Sequence, residues 1–313
     1  MSRLITPTTL EQQQIAAGNP QGFTQRWRYG IPSWRHVSEG GFQRSRYDVV
    51  ALDEAPARQF IEHHHYLAGW PAALHRLGLL DLESEQLPGQ QRIGGAELVG
   101  VLVLACPMNH RVLTQAFPAL VPYTQSAELA RLVLLDEVPA NAESFFIAAA
   151  LRLAATTGIR GVVSFSDPVP RARRTDTGKT ISMPGHLGIC YQACNFRYTG
   201  RGTPRTLTVL PDGSVLTARS RAKITGNEVG AAGVIARLLA LGAPPPIPED
   251  DPRTWLTTSL RMLGARSVRH PGNHRYALAV GRTRAERTGT TIALAAAPYP
   301  KNSAGPRSTT GTV

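Results

Sequence analysis

The chain has 313 residues, of which 42% are hydrophobic, and it carries 34 Lys and Arg against 22 Asp and Glu. This length and apolar content exclude a wholly disordered chain and allow one large domain, or one domain with a substantial extension. Arg supplies nearly all of the positive charge, and its planar guanidinium suits phosphate and guanine. A genome rich in Arg codons is the alternative, so the net charge of +12 suggests a nucleic-acid partner without establishing it.

Cysteine usage and hydropathy indicate the compartment. Cys106, Cys190 and Cys194 are too few for a disulfide framework and fit a reducing environment. No apolar run reaches the length of a membrane span, and the N-terminus has no apolar signal-peptide segment. We therefore expect a soluble, cytoplasmic protein that does not contact a membrane.

Residues 1–45 predict a poorly structured arm that is rich in Arg and aromatic residues. Aromatic side chains can stack on bases while Arg pairs with phosphate, which favours contact with a nucleic-acid strand. An arm packed across the domain explains the same composition equally well, and both interpretations stay open. The aromatic residues concerned are Trp27, Tyr29, Trp34 and Phe42.

Strands alternate with helices from residue 47 onward. Apolar runs indicate core strands at 98–105, 128–134 and 161–167. Asn141 is placed to cap a helix of about 16 residues, with Glu143 in its first turn. This alternation predicts an α/β (α+β) protein with a central mixed sheet flanked by helices, and not a sandwich. The other elements are a strand at 47–52, a helix from 54 that runs into His63-His64-His65-Tyr66, a helix at 187–194 and a strand from 196.

The C-terminal third predicts a basic extension of mixed structure. Pro211-Asp212-Gly213 is a strong turn signal inside a hairpin at 206–217, and a Pro-rich connector follows at 242–248. A helix at 255–263, a polar loop at 269–275 and a strand at 276–280 complete it. The predicted division is a basic and aromatic arm at 1–45, a catalytic domain at 46–202, the basic extension at 203–296 and a disordered tail at 297–313.

Two residues have the chemistry of acid and base groups. Asp167 ends a core strand and precedes Pro168, so we expect it at the carboxyl edge of the sheet, where α/β proteins place ligands. A carboxylate there can take a proton from an exocyclic amine or orient a base edge, although it can also cap the following turn. Tyr191 lies on a helix that begins near His186 and is either a general acid or an ordinary core aromatic.

Two further positions carry charge or imidazole in apolar surroundings. Arg131 interrupts an apolar strand and needs either an anionic ligand or a structural partner such as Glu128. Consecutive His side chains on a helix point in different directions, so we expect no metal site at His63-His64-His65. His65 is better explained as a general base or as a contact to the substrate, with Tyr66 stacking on a nucleobase.

Several short motifs, taken together and in order, resemble the Mom family of phage DNA-modification proteins, which belongs to the wider acetyltransferase-like (GNAT) group. The resemblance covers most of residues 48–202, and its specificity lies in the combination and not in any single piece. The motifs are His65-Tyr66, Glu128-Leu129-Ala130-Arg131, Asn141-Ala142-Glu143-Ser144, Ser164-Phe165-Ser166-Asp167, Gly185-His186 through Tyr191, and Asn195 through Arg201.

The resemblance implies a GNAT-like fold and a transferase that converts adenine in duplex DNA to an N6-carbamoylmethyl derivative, protecting the DNA from restriction. The target base would be flipped out, because N6 lies in the stack of an intact duplex. It implies functional positions at Arg131, Asp167, Tyr191 and the His65-Tyr66 pair. We assign catalysis to Asp167, Tyr191 and His65, and binding of substrate or donor to Tyr66, Arg131, Asn141, Ser144, Ser164 and His186.

The segment before the Asn141 helix departs from the acetyltransferase pattern. Acetyltransferases wrap the coenzyme A pyrophosphate there with a glycine-bearing loop. Here residues 135–141 contain no glycine, and Asp136 and Glu137 are expected to repel phosphate. The donor is therefore unknown, and an acyl-CoA and an aminoacyl-tRNA both stay open.

Basic residues next to the candidate site predict double-stranded DNA as the partner. A homodimer is a further open expectation. The rival interpretations are an N-acetyltransferase of a small amine or protein and a non-catalytic DNA-binding protein. The basic residues assigned to DNA are Arg171, Arg173 and Arg174 in a loop after Asp167, together with Arg201 and Arg205.

Overall fold

The computed structural model describes residues 23–65, 69–86, 89–169, 171–174, 180–183, 185–247, 249 and 251–301, with the backbone alone at 171–174 and 180–183. The strands are β1 Phe23–Arg28, β2 Ile31–His36, β3 Tyr47–Ala51, β4 Ala73–Asp81, β5 Arg92–Ile93, β6 Ala96–Ala105, β7 Ser126–Leu134, β8 Gly161–Ser166, β9 Arg171–Arg174, β10 Thr180–Met183, β11 Arg197–Arg201, β12 Arg205–Val209, β13 Val215–Leu216, β14 Arg266–His270 and β15 His274–Ala279. The helices are α1 Glu54–His64, α2 Arg111–Ala116, α3 Ala142–Thr156, α4 Ile189–Ala193, α5 Ala218–Thr225, α6 Ala231–Ala240, α7 Pro252–Met262 and α8 Arg284–Gly289.

The chain forms two compact units, and the larger one is built on an eight-stranded sheet. The strand order is β11-β15-β8-β7-β6-β4-β3, with β5 paired to β6. Every residue of β6 is buried, which fits its unbroken apolar sequence in the centre of the sheet. The mixed sheet flanked by helices confirms the predicted fold class. No helix in the part of the chain that the structure describes is long and apolar enough to cross a bilayer.

Helices cover both faces of this sheet. Helix α3 buries Phe146, Ile147 and Ala150 in the main hydrophobic core, together with residues of β4, β6 and β7. On the other face, Phe117 after α2 packs with Val163 of β8 in a separate cluster. Burial of one apolar stripe from each helix holds the layers together.

Among the paired strands that the structure describes, β7 and β8 are the one parallel pair in the large sheet. Their pairing begins at Ser126 opposite Gly161 and ends at Leu129 opposite Ser164, although both strands continue. Beside Leu129, the register between β6 and β7 shifts between Val103 and Leu104 of β6. The carboxyl ends of two parallel strands therefore separate, which is the position where α/β proteins place ligands.

The smaller unit comprises residues 169–183 and 202–272. It contains the β9–β10 hairpin, a sheet of order β13-β12-β14, and helices α5 to α7. The predicted turn at Pro211-Asp212-Gly213 is confirmed, since it joins β12 to β13 and the Gly213 amide donates to the Leu210 carbonyl at 2.9 Å. Its core is formed by Leu210, Leu216, Ile224, Leu238, Ala243, Trp255 and Leu256.

The N-terminal arm differs from the prediction. Strands β1 and β2 form a hairpin whose turn, Tyr29-Gly30, has φ values of 52° and 70°, the geometry of a two-residue hairpin turn. Arg26 and Trp27 are only 0% and 5% exposed. The expectation of a poorly structured arm is therefore wrong for residues 23–36, and Arg26 and Trp27 are packed against the domain. Residues 1–22 lie outside the described residues.

Three other predictions are wrong in part. The segment Arg171–Arg174, predicted as a loop, is strand β9. The strand predicted within the C-terminal extension is β15, which lies inside the main sheet between β8 and β11. The tail was predicted to be disordered from 297, but the structure describes it as far as 301. Within it, the Tyr299 hydroxyl donates to the Phe196 carbonyl at 2.9 Å. Residues 302–313 lie outside the described residues.

Candidate active site at the end of the parallel strands

Asp167 follows β8 directly, at the predicted edge of the sheet. Its carbonyl accepts a hydrogen bond of 2.8 Å from the His186 amide, which brings the two sequence-predicted residues together. Burial lowers the pKa of His186, and the nearby Asp167 carboxylate opposes that shift. An imidazole beside a carboxylate is an arrangement that enzymes use to move protons.

Tyr191 on α4 is 6% exposed and belongs to the main hydrophobic core. Its ring lies 5.5 Å from those of Phe196 and Tyr276, so the aromatic packing expected of a core residue is present. Gly188 precedes α4 with a φ of 70°, and a Cβ there would lie 2.8 Å from the Tyr276 ring. Glycine at this position therefore lets the Tyr276 and Tyr191 rings approach the helix start.

Arg131 on β7 binds backbone carbonyls. Its guanidinium donates to the Ala130 carbonyl at 2.8 Å and to the Gly69 carbonyl at 2.9 Å. Gly69 lies just after the His65-Tyr66 motif in the chain, so Arg131 fixes the end of that segment. The structure thus gives Arg131 a positioning contact that the sequence did not reveal.

Glu128, three residues before Arg131, is a candidate that the sequence pattern indicated only as a structural partner. Burial raises the pKa of Glu128 to about 7, while the positive charge of Arg131 acts in the opposite direction. A carboxylate with a pKa near 7 is well matched to general-base work at neutral pH. An acid inside an apolar strand was the signal that could have identified it.

The His run ends α1 as expected, and its members have different surroundings. His64 packs against Phe60, and burial lowers its pKa to about 4, with His63 and Arg28 adding to the shift. His65 is 8% exposed, with its ring 6.2 Å from that of Trp27. Tyr66 lies outside the described residues. No group of three or more His, Cys, Asp or Glu that could hold a metal ion exists in the described ranges.

The remaining predicted binding residues lie near β7 and α3. The Ser164 hydroxyl donates to the Leu129 carbonyl at 3.3 Å, at the point where the parallel pairing ends. The Ser144 hydroxyl donates to the Asn141 carbonyl at 3.2 Å, a local bond within the first turn of α3. Asn141 has a φ of 72°, and its side chain makes no cap bond, so the predicted side-chain cap is wrong. An N-cap bond needs extended backbone at the cap residue, which this φ does not provide.

His274 falls in a segment that the sequence predicts as a polar loop. In the structure His274 begins β15 opposite Ser166, and its Nδ1 lies 2.9 Å from the Tyr198 hydroxyl. Burial lowers the pKa of His274 to about 4, with Arg201 and His186 contributing. Within the described part of the chain, His274 Nε2 and Ser166 Oγ are buried without a hydrogen-bond partner. Two buried polar atoms of this kind mark a polar patch beside Asp167.

The segment before α3 does not fit a diphosphate. Asp136 and Glu137 were expected to repel phosphate, but both acids pair with Arg28. The Asp136 carboxylate lies 3.4 Å from Arg28 Nε. The carbonyls of Asp136 and Val138 accept hydrogen bonds from Arg35 and Arg26. A pyrophosphate needs outward N–H donors, whereas this loop presents oxygen atoms. This arrangement of oxygen atoms does not match a loop that binds the pyrophosphate of coenzyme A.

The residues assigned to DNA are distributed over both units. Arg201 ends β11 in the larger unit, and Arg205 begins β12 in the smaller unit; both are exposed. Arg171, Arg173 and Arg174 lie on β9, and their side chains are outside the described residues. The sequence of the smaller unit contains thirteen Lys and Arg against six Asp and Glu.

A mixed sheet with polar and titratable side chains where its parallel strands separate defines an α/β protein with a candidate ligand site at that edge. The model of the Mom protein family matches residues 46–235, and the chain belongs to this family. The match confirms the resemblance carried by the motifs. Membership indicates a DNA-modification protein of the transferase class.

Two other comparisons are less specific. No curated protein matches the chain. Among solved structures, a tandem GNAT protein from the clavulanic acid biosynthesis pathway, without AcCoA, is similar at 12% sequence identity and a TM-score of 0.30. The similarity covers 74% of this chain and 70% of that chain. A likeness this distant says nothing about mechanism.

Proposed function

We propose that the protein transfers a carbamoylmethyl-type group to N6 of adenine in double-stranded DNA, and that the modified DNA resists restriction. The observation that carries the proposal is the position of Asp167, which stands beside His186 at the carboxyl end of β8 within a Mom-family sequence. Asp167, Tyr191 and His65 are the proposed catalytic residues.

The proposed chemistry needs a group that removes a proton from N6. As the N6 nitrogen forms its bond to the donor carbon, it loses a proton and the donor's leaving group departs. Asp167 is the proposed acceptor, and Glu128, with its pKa raised to about 7, is the alternative carboxylate. Arg131 supports the His65-Tyr66 segment through its bond to Gly69, which would hold His65 and Tyr66 against the base.

The proposed partner is duplex DNA, bound through the basic smaller unit. Its thirteen Lys and Arg against six acids give it more than half of the chain's net charge of +12. Exposed Arg on β12 and β14 stand beside hydroxyl groups, as in Thr206 opposite Arg269. Arg and hydroxyl side chains are the usual ligands of DNA phosphates.

Mass spectrometry of nucleosides tests the proposal. Plasmid DNA from cells that express the protein should contain an adenine nucleoside heavier than normal, and Asp167→Asn should abolish it. Arg152→Ala on an exposed position of α3 is the matched control and should leave the modification in place. Only the four normal nucleosides in DNA from cells with confirmed expression of soluble protein would rule the modification out. Acetylated protein or small amines from the same cells would favour an N-acetyltransferase instead.

A further inference from the structure

The N-terminal hairpin β1–β2 is bound to the loop that leads into α3. Arg26 is fully buried, and its Nε donates to the Val138 carbonyl at 2.9 Å. A second guanidinium nitrogen donates to the Pro139 carbonyl at 2.6 Å, and a third contact, at 2.5 Å, is an ion pair with Glu143. One side chain from the hairpin thus holds three groups around the start of α3.

The start of α3 is the place where an anion would ordinarily bind. Helix α3 has 15 residues and follows β7 at the end where the parallel strands separate. The aligned peptide dipoles give such a helix start a partial positive charge, and its first N–H groups favour phosphate. Here Glu143 lies in the first turn and supplies the negative charge from within the chain. Arg26 then neutralises Glu143.

Neighbouring contacts also bind the hairpin to the loop before α3. Arg35 donates to the Asp136 carbonyl at 2.7 Å, and Arg28 pairs with Asp136 and Glu137. A diphosphate placed here would meet three carboxylates and would have to displace a fully buried guanidinium. Charges removed from water are costly to separate from their partners, so this displacement is strongly unfavourable.

The hairpin is also held at its other end. The Gly30 amide donates to the His64 carbonyl at 3.0 Å, and the Tyr29 ring packs 5.0 Å from that of His63. Both ends of the hairpin are therefore anchored within the larger unit, one on α1 and one before α3.

We infer that the hairpin is the permanent occupant of the anion position at the start of α3, and that the protein takes no donor held there through a diphosphate. The inference deepens the proposed function, on which it rests, by restricting the class of donor. A donor must be bound through groups other than a nucleoside diphosphate at this helix. Arg26, Arg28 and Arg35 act as structural ligands of the loop and not as contacts to DNA.

Isothermal titration with coenzyme A and with ADP as diphosphate probes tests the inference on the full chain. The wild type should show no saturable binding with a Kd below about 1 mM. The double variant Arg26→Gln, Glu143→Gln releases the hairpin while keeping a polar side chain at both positions, and it should gain weak binding of both probes. Arg58→Ala, an exposed Arg on α1, is the control and should behave like the wild type.

Two outcomes would overturn the inference: saturable binding by the wild type, or a folded double variant that gains no binding. Amide hydrogen exchange of residues 23–36 gives a second readout. It should be unchanged by coenzyme A, and faster exchange on addition would show a hairpin that opens. Nucleoside mass spectrometry on the same preparations separates the two proposals. A chain that binds coenzyme A and modifies adenine contradicts this inference alone, whereas a chain that does neither contradicts only the proposed function.

Discussion

The Arg131 guanidinium donates to the Gly69 carbonyl at 2.9 Å and thereby connects the central strand β7 to the segment that follows the His65-Tyr66 motif. Before the motif, the His64 carbonyl accepts a hydrogen bond of 3.0 Å from the Gly30 amide. A side chain whose chain neighbours are already held has less conformational freedom to lose when a substrate binds. We therefore expect the contact at His64 to preorganise His65.

Replacing Arg131 should separate positioning from charge. Arg131→Lys keeps the positive charge but cannot reproduce the fork that reaches both carbonyls. We expect at least a tenfold loss of adenine modification and a loss of about 1–3 kcal/mol in the free energy of unfolding, from hydrogen bonds to a charged group. Urea denaturation and nucleoside mass spectrometry measure the two effects. Arg152→Lys is the control, and full modification by Arg131→Lys would show that charge alone suffices.

The pH dependence of the reaction should distinguish Glu128 from Asp167 as the proton acceptor. Since burial raises the pKa of Glu128 to about 7, its carboxylate becomes protonated as the pH falls through that value. If Glu128 and not Asp167 accepts the N6 proton, modification of a duplex in vitro should decline below about pH 7, and Glu128→Gln should be inactive across the range. A single-turnover pH profile provides the measurement. A Glu128→Gln variant with the wild-type profile would exclude this carboxylate as the base.

His64 and His274 should make the fold sensitive to acid. Burial lowers the pKa of each from 6.5 to about 4, so between these values the unfolded chain binds more protons than the folded one. The stability gained by keeping these two imidazoles neutral is complete above pH 6.5 and is lost as the pH falls toward 4. A pKa that differs by one between the folded and the unfolded chain corresponds to about 1.4 kcal/mol. Urea midpoints should fall over this window, and less steeply in His64→Gln; identical slopes would contradict the assignment.

The core of the fold was predictable because its signals are local. The apolar run of β6 and the spacing of Phe146 and Ala150 on α3 specify a buried strand and an amphipathic helix without reference to the rest of the chain. The hairpin β1–β2 was not predictable, because its alternation of Arg and Trp resembles an exposed nucleic-acid contact. Burial of Arg26 is favourable because of Glu143 and the Val138 and Pro139 carbonyls, which are distant from it in the sequence.

The candidate site was predicted in part for the same reason. Asp167 is identified by the end of its own strand and by the motif around it. The polar pair of Ser166 and His274 depends on β15 entering the sheet beside β8, a pairing of residues more than 100 positions apart. Arg131 showed its need for a partner in the sequence, but the Gly69 carbonyl lies 62 residues away. Long-range partners of this kind leave no periodic signal.

Arg26→Ala should destabilise the larger unit strongly. The change leaves the largely buried Glu143 carboxylate without its cation and two carbonyls without their donor. Removing one partner of a buried pair typically costs about 3–5 kcal/mol in the free energy of unfolding. Arg44→Ala, an exposed Arg in the segment after the hairpin, is the control and should change little. Equal urea midpoints for the two variants would contradict the buried role of Arg26.

Strand β9 is expected to hold the DNA backbone. Arg171, Arg173 and Arg174 follow Asp167 closely in the chain, and we expect them to bind phosphates. Replacing all three with Ala should weaken binding to every duplex by a similar factor. It should also reduce the slope of log K against log salt concentration by roughly 0.9 for each phosphate that is no longer neutralised.

Fluorescence anisotropy on two unrelated duplexes at several salt concentrations measures both quantities. Arg58→Ala on α1 removes one exposed positive charge from the larger unit and controls for net charge. Weaker binding of one duplex alone would mean that these Arg read base edges, because phosphate contacts carry no sequence information. An unchanged slope on both duplexes would remove β9 from the DNA-binding surface and leave Arg201 and Arg205 as the residues to test.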